Sequence, residues 1–158
     1  MKMEQISDFA RQFNVSIGID ESLVVEKQAR YFLLNARLKG LASSDFFYAG
    51  TYLGKFKNRV FFPSFALLNM IAERKEANRM IINEKAEWLF VCGRDLFKQG
   101  IVSMVGPKSK GAYTLILNKQ GECLGFGKIM ANSAQTKDEH AVIVKNVLDV
   151  GDFLRRER

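Results

Sequence analysis

The sequence is poor in cysteine and proline, and it contains no long hydrophobic run. Its two cysteines, Cys92 and Cys123, are isolated, with no CxxC pair and no nearby histidine. We interpret them as reduced, buried thiols rather than as a disulfide or a metal site. The opening residues hold no apolar run long enough for a signal peptide, and polar residues and a proline interrupt the longest apolar stretch, residues 60–72. We therefore expect a cytoplasmic protein with no membrane association.

Catalytic motifs are also missing. The single histidine, His140, has no serine or cysteine partner in a recognisable triad. No HExxH segment occurs, and the GFGK segment at residues 125–128 lacks the first glycine and the final serine or threonine of a GxxxxGK[ST] phosphate loop. We therefore expect no enzymatic activity, no metal site and no cofactor.

The residues that are present have an ordinary globular composition with an excess of positive charge. Of the 158 residues, 47% are hydrophobic and 26% are charged, and the length fits one compact unit or two small ones. The net charge is +7. Nucleic acid, an anionic membrane and a solvated surface are the common explanations of such an excess, and charge alone does not choose among them.

The first half of the chain predicts a small domain that mixes a helix with short strands. An apolar stripe at helical spacing, from Ile6 to Phe13, indicates an amphipathic helix. Residues 22–33 read as two short strands, and the aromatic segment 45–62, with its two glycines, reads as a hairpin. Ser64 is placed to cap the helix that follows.

The aromatic residues of this half have two interpretations. Aromatic clusters at strand spacing usually pack into a core. The same residues can instead form a docking face for a protein partner. We expect most of them to be core residues. They are Phe46, Phe47, Tyr48, Tyr52, Phe56, Phe61, Phe62 and Phe65.

The polar run at residues 73–78 divides the chain into predicted domains of residues 1–77 and 78–158. In the second domain, short apolar strands alternate with turns, a pattern that implies a barrel or a curled sheet. Gly125 and Gly127 are two residues apart and share one face of a predicted strand. A face without side chains indicates tight curvature or the close approach of another strand.

Two groups of basic residues lie in the first part of this second domain. In the segment GRDLFKQG, helical projection places Arg94 and Lys98 together on the solvent side of a short helix that ends at Gly100. Lys108 and Lys110 lie in a loop, GPKSKG, which exposes both of them. We predict that all four cations can reach phosphate groups.

Further basic residues lie near the end of the sequence. Lys145 projects from the edge of a predicted strand. Arg155, Arg156 and Arg158 form the densest positive spot of the chain, on a terminal helix that Asp149 is placed to cap. A solvated helix end explains these arginines as well as a binding site does.

Three segments of the second domain together resemble a PUA domain, the RNA-binding module named for pseudouridine synthases and archaeosine transglycosylases. They are AEWLFVCGRDLFKQGI, LGFGKI and VKNVLDVGDFLRR. The segment GTYLGKF, residues 50–56, with the aromatic strand after it, is similar to the pre-PUA domain of the archaeal-type Nip-seven family of ribosome biogenesis factors. The resemblance extends over nearly the whole chain in the same order.

This resemblance implies an α+β protein, with a small α/β pre-PUA domain followed by a PUA pseudo-β-barrel. It also implies a non-catalytic monomer that binds precursor or mature ribosomal RNA and other assembly proteins of the large ribosomal subunit, and that acts in rRNA processing. The RNA surface of PUA domains combines the first helix and its glycine-containing loop with the last strand and the carboxyl-terminal segment. Carried over to this chain, those positions are Arg94, Lys98, Gln99 and Gly100, with Lys145, Arg155 and Arg156 opposite.

Two other functions fit the same residues. In the first, the aromatic half docks on another protein of an RNA-processing complex, so that the chain is an adaptor. In the second, the chain is an RNA-binding accessory to an RNA-modifying enzyme. The residues before the boundary hold no evident catalytic constellation, so an enzymatic role for the chain itself is the weakest of the hypotheses.

Overall fold

The structure of the protein is a computed structural model, and it describes residues 2–152 and residue 155. The chain forms two compact units, residues 1–71 and 72–158. Each unit contains one β-sheet. Helices and antiparallel strands occur in both units, so the expected α+β class is confirmed.

The first unit packs a helix against a four-stranded sheet in which every strand pairs with its neighbour in sequence. Its elements are α1 (Lys2–Arg11), β1 (Val24–Lys27), β2 (Arg30–Leu33), β3 (Thr51–Lys57), β4 (Val60–Pro63) and α2 (Phe65–Ala72). The Ser64 hydroxyl accepts the Leu67 N–H at 3.1 Å, as expected for the cap of α2. The strands and the hairpin that the sequence predicts in this half are therefore confirmed.

Two-residue turns set the register of this sheet. Gln28 and Ala29 connect β1 to β2, and Asn58 and Arg59 connect β3 to β4; all four residues have positive φ. Positive φ at both central residues defines the type I′ turn, whose twist matches that of the flanking strands. Glycine adopts a left-handed backbone readily and is common in such turns. This chain forms the turn twice without a glycine at either central position.

The two faces of the first sheet differ. One face carries Tyr31 and Phe61, and α1 covers it: the ring of Phe9 lies 5.5 Å from that of Phe61, and Gln5 accepts a hydrogen bond from the Tyr31 hydroxyl at 2.6 Å. Side chains alternate along a strand, so Arg30 and Phe62, the neighbours of that aromatic pair, lie on the opposite face.

The second unit contains a six-stranded curled sheet with an α-helix packed on it. Its elements are β5 (Arg79–Ile82), α3 (Glu84–Val91), β6 (Leu96–Phe97), β7 (Ile101–Val105), β8 (Tyr113–Leu117), β9 (Cys123–Ile129) and β10 (Val142–Asp149). The strand order is β6-β10-β9-β8-β5-β7, with β5 and β8 parallel. Met80, Phe90 and Ile116 are fully buried at the centre of the core, where α3 packs on the inner face of the sheet.

Gly125 shows why the sheet curls where it does. This residue has φ +146° and lies opposite Asp149 of β10. A Cβ atom at Gly125 would overlap the carbonyl oxygen of Leu148, and one at Gly127 would overlap the Val144 side chain. The predicted close approach of a neighbouring strand is therefore confirmed for both glycines.

The short helix predicted between Arg94 and Gly100 is wrong. Leu96 and Phe97 form β6, which pairs with Val144 and Val142 of β10, and a single 3-10 turn covers residues 98–100. The segment instead completes the edge of the sheet, where Leu96 is part of the buried core. Gly100 does not adopt the left-handed conformation; it is buried under the Cβ of Ala86.

Candidate nucleic-acid interface

A row of three side chains crosses the outer face of the second sheet. Lys145 of β10 lies directly opposite Lys128 of β9, and Lys128 lies directly opposite Tyr113 of β8. Directly opposed residues in antiparallel strands point to the same face, with Cβ atoms about 5 Å apart. Both lysines are exposed and Tyr113 is half-buried. The sheet therefore presents two positive charges beside an aromatic ring.

The ring and the adjacent lysine are in contact range. The Lys128 Nζ lies 6.0 Å from the centroid of the Tyr113 ring, at the outer limit of a cation–π contact. The Tyr113 ring also packs against Phe126, with 5.9 Å between the two ring centroids. Such an arrangement can hold a phosphate on the lysines and a base against the ring.

Lys128 was absent from the sequence-based prediction. Its neighbours are glycines and apolar residues, so the segment LGFGKI resembled a buried strand in the sequence. The signal that was available is that Lys128 is the single charged residue in β9. Its relation to Lys145 appears only once the register of β9 and β10 is known.

The loop before β8 adds two lysines at the same end of the sheet. The N–H of Gly111 donates to the carbonyl of Ile129 at 2.8 Å, which places this loop beside the end of β9. Lys108 and Lys110 are both exposed, as predicted. Four lysines from the loop, β9 and β10 thus collect at one end of the strands.

Arg94 and Lys98 lie in different environments. Arg94 precedes β6 and is exposed, whereas Lys98 follows β6 and is half-buried. The Nζ of Lys98 lies 3.2 Å from a carboxylate oxygen of Glu139. The helix that would have placed these two residues on one face is replaced by a short strand and a turn.

Gln99 and Gly100 border a small pocket between α3 and the β6 segment. The side-chain amide of Gln99 is exposed and lies 3.4 Å from Nδ1 of His140. The pocket has a volume of about 100 Å³, well below the roughly 300 Å³ at which typical ligand pockets begin. A pocket of this volume can hold about one aromatic ring. Its lining is formed by Asn83, Lys85, Ala86, Leu89, Asp95, Leu96, Phe97, Gln99 and Gly100.

Arg155 is held in an intramolecular network rather than turned freely to solvent. Its guanidinium donates to a carboxylate oxygen of Asp149 at 2.6 Å and to the carbonyl of Val91 at 2.7 Å. The hydrogen bond with Asp149 is the main cause that raises the pKa of Arg155. Asp149 lies in β10 and is 2% exposed, so the prediction that it caps a terminal helix is wrong. Arg155 satisfies a carbonyl at the end of α3, where helices leave such groups without partners.

Asn146 completes this network. Its side-chain amide donates to the carbonyl of Phe90 at 2.9 Å and to Asp149 at 3.1 Å. Two side chains, Asn146 and Arg155, therefore cap adjacent carbonyls of α3. The predicted contributions of Arg156 and Arg158 lie outside the described residues.

The thiols and the acidic residues do not form a metal site in the described part of the chain, where no three potential ligands come together. Cys92 is exposed at the end of α3, so the expectation of a buried thiol is wrong for it. Cys123 is half-buried, and burial raises its pKa to about 11. None of the described helices has both the length and the apolarity needed to span a bilayer.

Comparison with known proteins identifies the second unit. The pattern of a protein family described as the UPF0113 PUA domain matches residues 78–158. A protein of Archaeoglobus fulgidus named UPF0113 protein is 31% identical over 116 residues, which are 70% of this chain. The matched region spans 63% of the length of that relative.

Solved structures show the same fold. A conserved PUA domain protein from Thermoplasma acidophilum is similar with a TM-score of 0.61 at 21% identity. A hypothetical protein from Pyrococcus horikoshii is similar with a TM-score of 0.62 at 18% identity. Each similarity covers 98% of this chain and 93% of the other chain. The predicted PUA fold is therefore confirmed.

Proposed function

We propose that this chain, which belongs to the UPF0113 PUA domain family, is a non-catalytic RNA-binding protein. The presence of a PUA domain suggests RNA binding. The observation that carries the proposal is the cross-strand row of Lys145, Lys128 and Tyr113, with Lys108 and Lys110 at the same end of the sheet.

The chemistry of this row suits a nucleic acid. Lysine side chains neutralise phosphates without reading the sequence, and each phosphate contact releases counterions from the nucleic acid. Tyr113 offers a ring against which an unpaired base can stack. The row contains no pair of a nucleophile and a base, so it supports binding rather than catalysis.

A more specific part of the proposal concerns which RNA the protein binds in the cell. We infer that the chain acts like members of the Nip-seven family, on precursor or mature ribosomal RNA during assembly of the large subunit, as a cytoplasmic monomer beside other assembly proteins. Support comes from the resemblance of residues 50–56 and of the second domain to that family.

A salt-dependent titration tests RNA binding by the second unit. The probe is a fluorescein-labelled single-stranded RNA of about 16 nucleotides, the upper end of the site sizes of OB-fold domains that bind single strands. The variant Lys128→Gln, Lys145→Gln should bind more weakly, and its log–log slope against salt should fall by about 1.4, or 0.7 for each lost contact.

The matched control is Lys119→Gln. Lys119 is exposed in the turn at the opposite end of the β8–β9 hairpin, so its removal changes net charge without touching the row. Equal affinities and equal slopes for the double variant and the wild-type protein would overturn the proposal.

A further inference from the structure

The face of the first sheet that points away from α1 carries a second row of cations near the strand turns, whereas Val25 and Phe32, farther along the same face, are buried. Lys27 of β1 lies opposite Arg30 of β2, Arg30 lies opposite Lys55 of β3, and Lys55 lies opposite Phe62 of β4. The row therefore crosses all four strands on one face. With strands about 4.8 Å apart, it extends over roughly 14 Å. Lys57, two residues beyond Lys55 along β3, projects from the same face.

Exposed aromatic rings are interleaved with these cations. Phe47 is 80% exposed, and the guanidinium of Arg30 lies 4.5 Å from its ring centroid. Phe62 is 39% exposed, and Nζ of Lys55 lies 5.9 Å from its ring centroid. The expectation of a core position is therefore wrong for these two phenylalanines, and also for Tyr48, which is 61% exposed. The other five aromatic residues of the predicted set are half-buried. Phe47 and Phe62 each have a positive group beside the ring.

Such a row is costly for an isolated protein. Like charges directly opposite each other on a sheet destabilise it. Among the ion pairs of the described residues, none involves Lys27, Arg30, Lys55 or Lys57. The opposite face of the sheet is covered by α1. A polyanion that lay across the strands would relieve the repulsion.

We propose that this face of the first unit binds single-stranded RNA. The phosphates contact Arg30, Lys55 and Lys57, while unpaired bases stack on Phe47 and Phe62. An acidic peptide would pair with the cations, but it offers no pocket that could receive the two exposed rings. A single-stranded polynucleotide uses both features, since every base has a face that stacks and every linkage carries a charge. Four-stranded sheets with exposed aromatic residues are a known platform for two or three bases.

The first experiment separates stacking from charge in the full-length protein. Removing both rings in Phe47→Ala, Phe62→Ala should weaken binding of a single-stranded oligouridylate about tenfold for each ring, with the salt slope unchanged. The double variant Lys55→Gln, Lys57→Gln should reduce the salt slope by about 1.4. Controls are Trp88→Ala, an exposed ring in the second unit, and Arg37→Gln, an exposed cation of the first unit.

The second experiment locates the RNA directly. Oligouridylate that carries photoreactive 4-thiouridine is crosslinked to the wild-type protein, and the modified peptides are identified by mass spectrometry. We expect crosslinks on the peptides that contain Phe47 and Phe62, and we expect a perfect RNA duplex to compete poorly because its bases are stacked internally.

Three results would overturn the proposal. The first is unchanged RNA affinity of the two first-unit double variants. The second is crosslinks confined to residues 72–158, which would restrict RNA to the second unit and leave its proposed function intact. The third concerns polyglutamate, used as a probe for an acidic protein. If the first-unit double variants lose polyglutamate binding but keep RNA binding, the face is a site for an acidic protein.

Discussion

The guanidinium of Arg155 and the carboxylate of Asp149 form an ion pair with an N–O distance of 2.6 Å. The Asp149 side chain is 3% exposed, whereas that of Arg155 is 40% exposed. A carboxylate this deeply buried depends on its partners to compensate its charge. The most basic segment of the sequence therefore contributes at least one arginine to the stability of α3 and β10.

Arg155→Gln should lower the melting temperature and leave RNA binding nearly unchanged. The substitution leaves Asp149 buried with fewer hydrogen bonds and frees the Val91 carbonyl at the end of α3. Thermal unfolding and RNA anisotropy, measured on the same samples, separate the two effects. Asp149→Ala is the companion variant, and it should cost about 2 kcal/mol through the loss of its hydrogen bonds. A loss of RNA affinity in Arg155→Gln without loss of stability would return this residue to the interface.

Gly125→Ala should destabilise the second unit by about 3 kcal/mol or more, because a Cβ would overlap the Leu148 carbonyl and the backbone has a strongly positive φ. Urea denaturation measures the change in unfolding free energy. Gly18→Ala is the control: it has no neighbour within 4 Å of the added atom, and it should change stability by less than about 1 kcal/mol. Similar losses for both variants would contradict this account of the curled sheet.

Ala29→Gly should stabilise the first unit by about 1 kcal/mol, because Ala29 has φ 61° in a type I′ turn that glycine adopts without strain. Denaturant unfolding provides the measurement. Ala36→Gly, at an exposed position without positive φ, should instead destabilise by roughly 0.5 kcal/mol. The opposite signs of the two changes are the result to look for.

Glu139→Gln should strengthen RNA binding. The carboxylate of Glu139 lies 3.2 Å from Lys98, and its neutralisation leaves that lysine free to contact a phosphate. The salt slope should rise by about 0.7, the value for one additional phosphate contact. In the wild-type background, Lys98→Gln should have a smaller effect than Lys145→Gln. No increase in slope for Glu139→Gln would show that Lys98 lies outside the RNA path.

Cys123 should resist alkylation at about pH 8, where Cys92 reacts readily. Burial raises the pKa of Cys123 to about 11, so the folded protein keeps this thiol protonated; Cys92 is exposed. Reaction with iodoacetamide, followed by peptide mass spectrometry, distinguishes the two thiols.

The same pKa shift predicts a loss of stability at high pH. An unfolded cysteine loses its proton near pH 8.5. The unfolded chain therefore binds fewer protons than the folded chain between that pH and about pH 11, so stability falls as pH rises through this window. The contribution of Cys123 is of the order of 3 kcal/mol, and Cys123→Ala should show a smaller loss. Equal pH profiles for the variant and the wild-type protein would contradict the shift.

Much of the fold was predictable from local pattern. The stripe from Ile6 to Phe13, the serine before α2 and the bare glycine face of β9 each carry their cause within a few residues. Alternation and capping are local effects, so these elements could be placed without knowledge of their neighbours. The two type I′ turns could not, because Gln-Ala and Asn-Arg lack the glycine that usually marks such turns.

The segment from Arg94 to Gly100 shows where local pattern fails. Its apolar pair, Leu96 and Phe97, fits a helix as well as a strand, and pairing with β10 decides for the strand. The choice depends on backbone groups of residues more than forty positions later in the chain, which a local window does not contain.

The composition of this protein, the type of most of its elements and its resemblance to a PUA protein can be read from the amino-acid sequence. Which charges act together depends on how distant strands and helices pack against each other. Register places Lys128 beside Lys145 and Lys27 beside Arg30, and packing ties Arg155 to Asp149. The physical reason is that a lysine or an arginine has the same local pattern whether it faces a phosphate or a buried carboxylate. Its role depends on the strand or helix that lies opposite it.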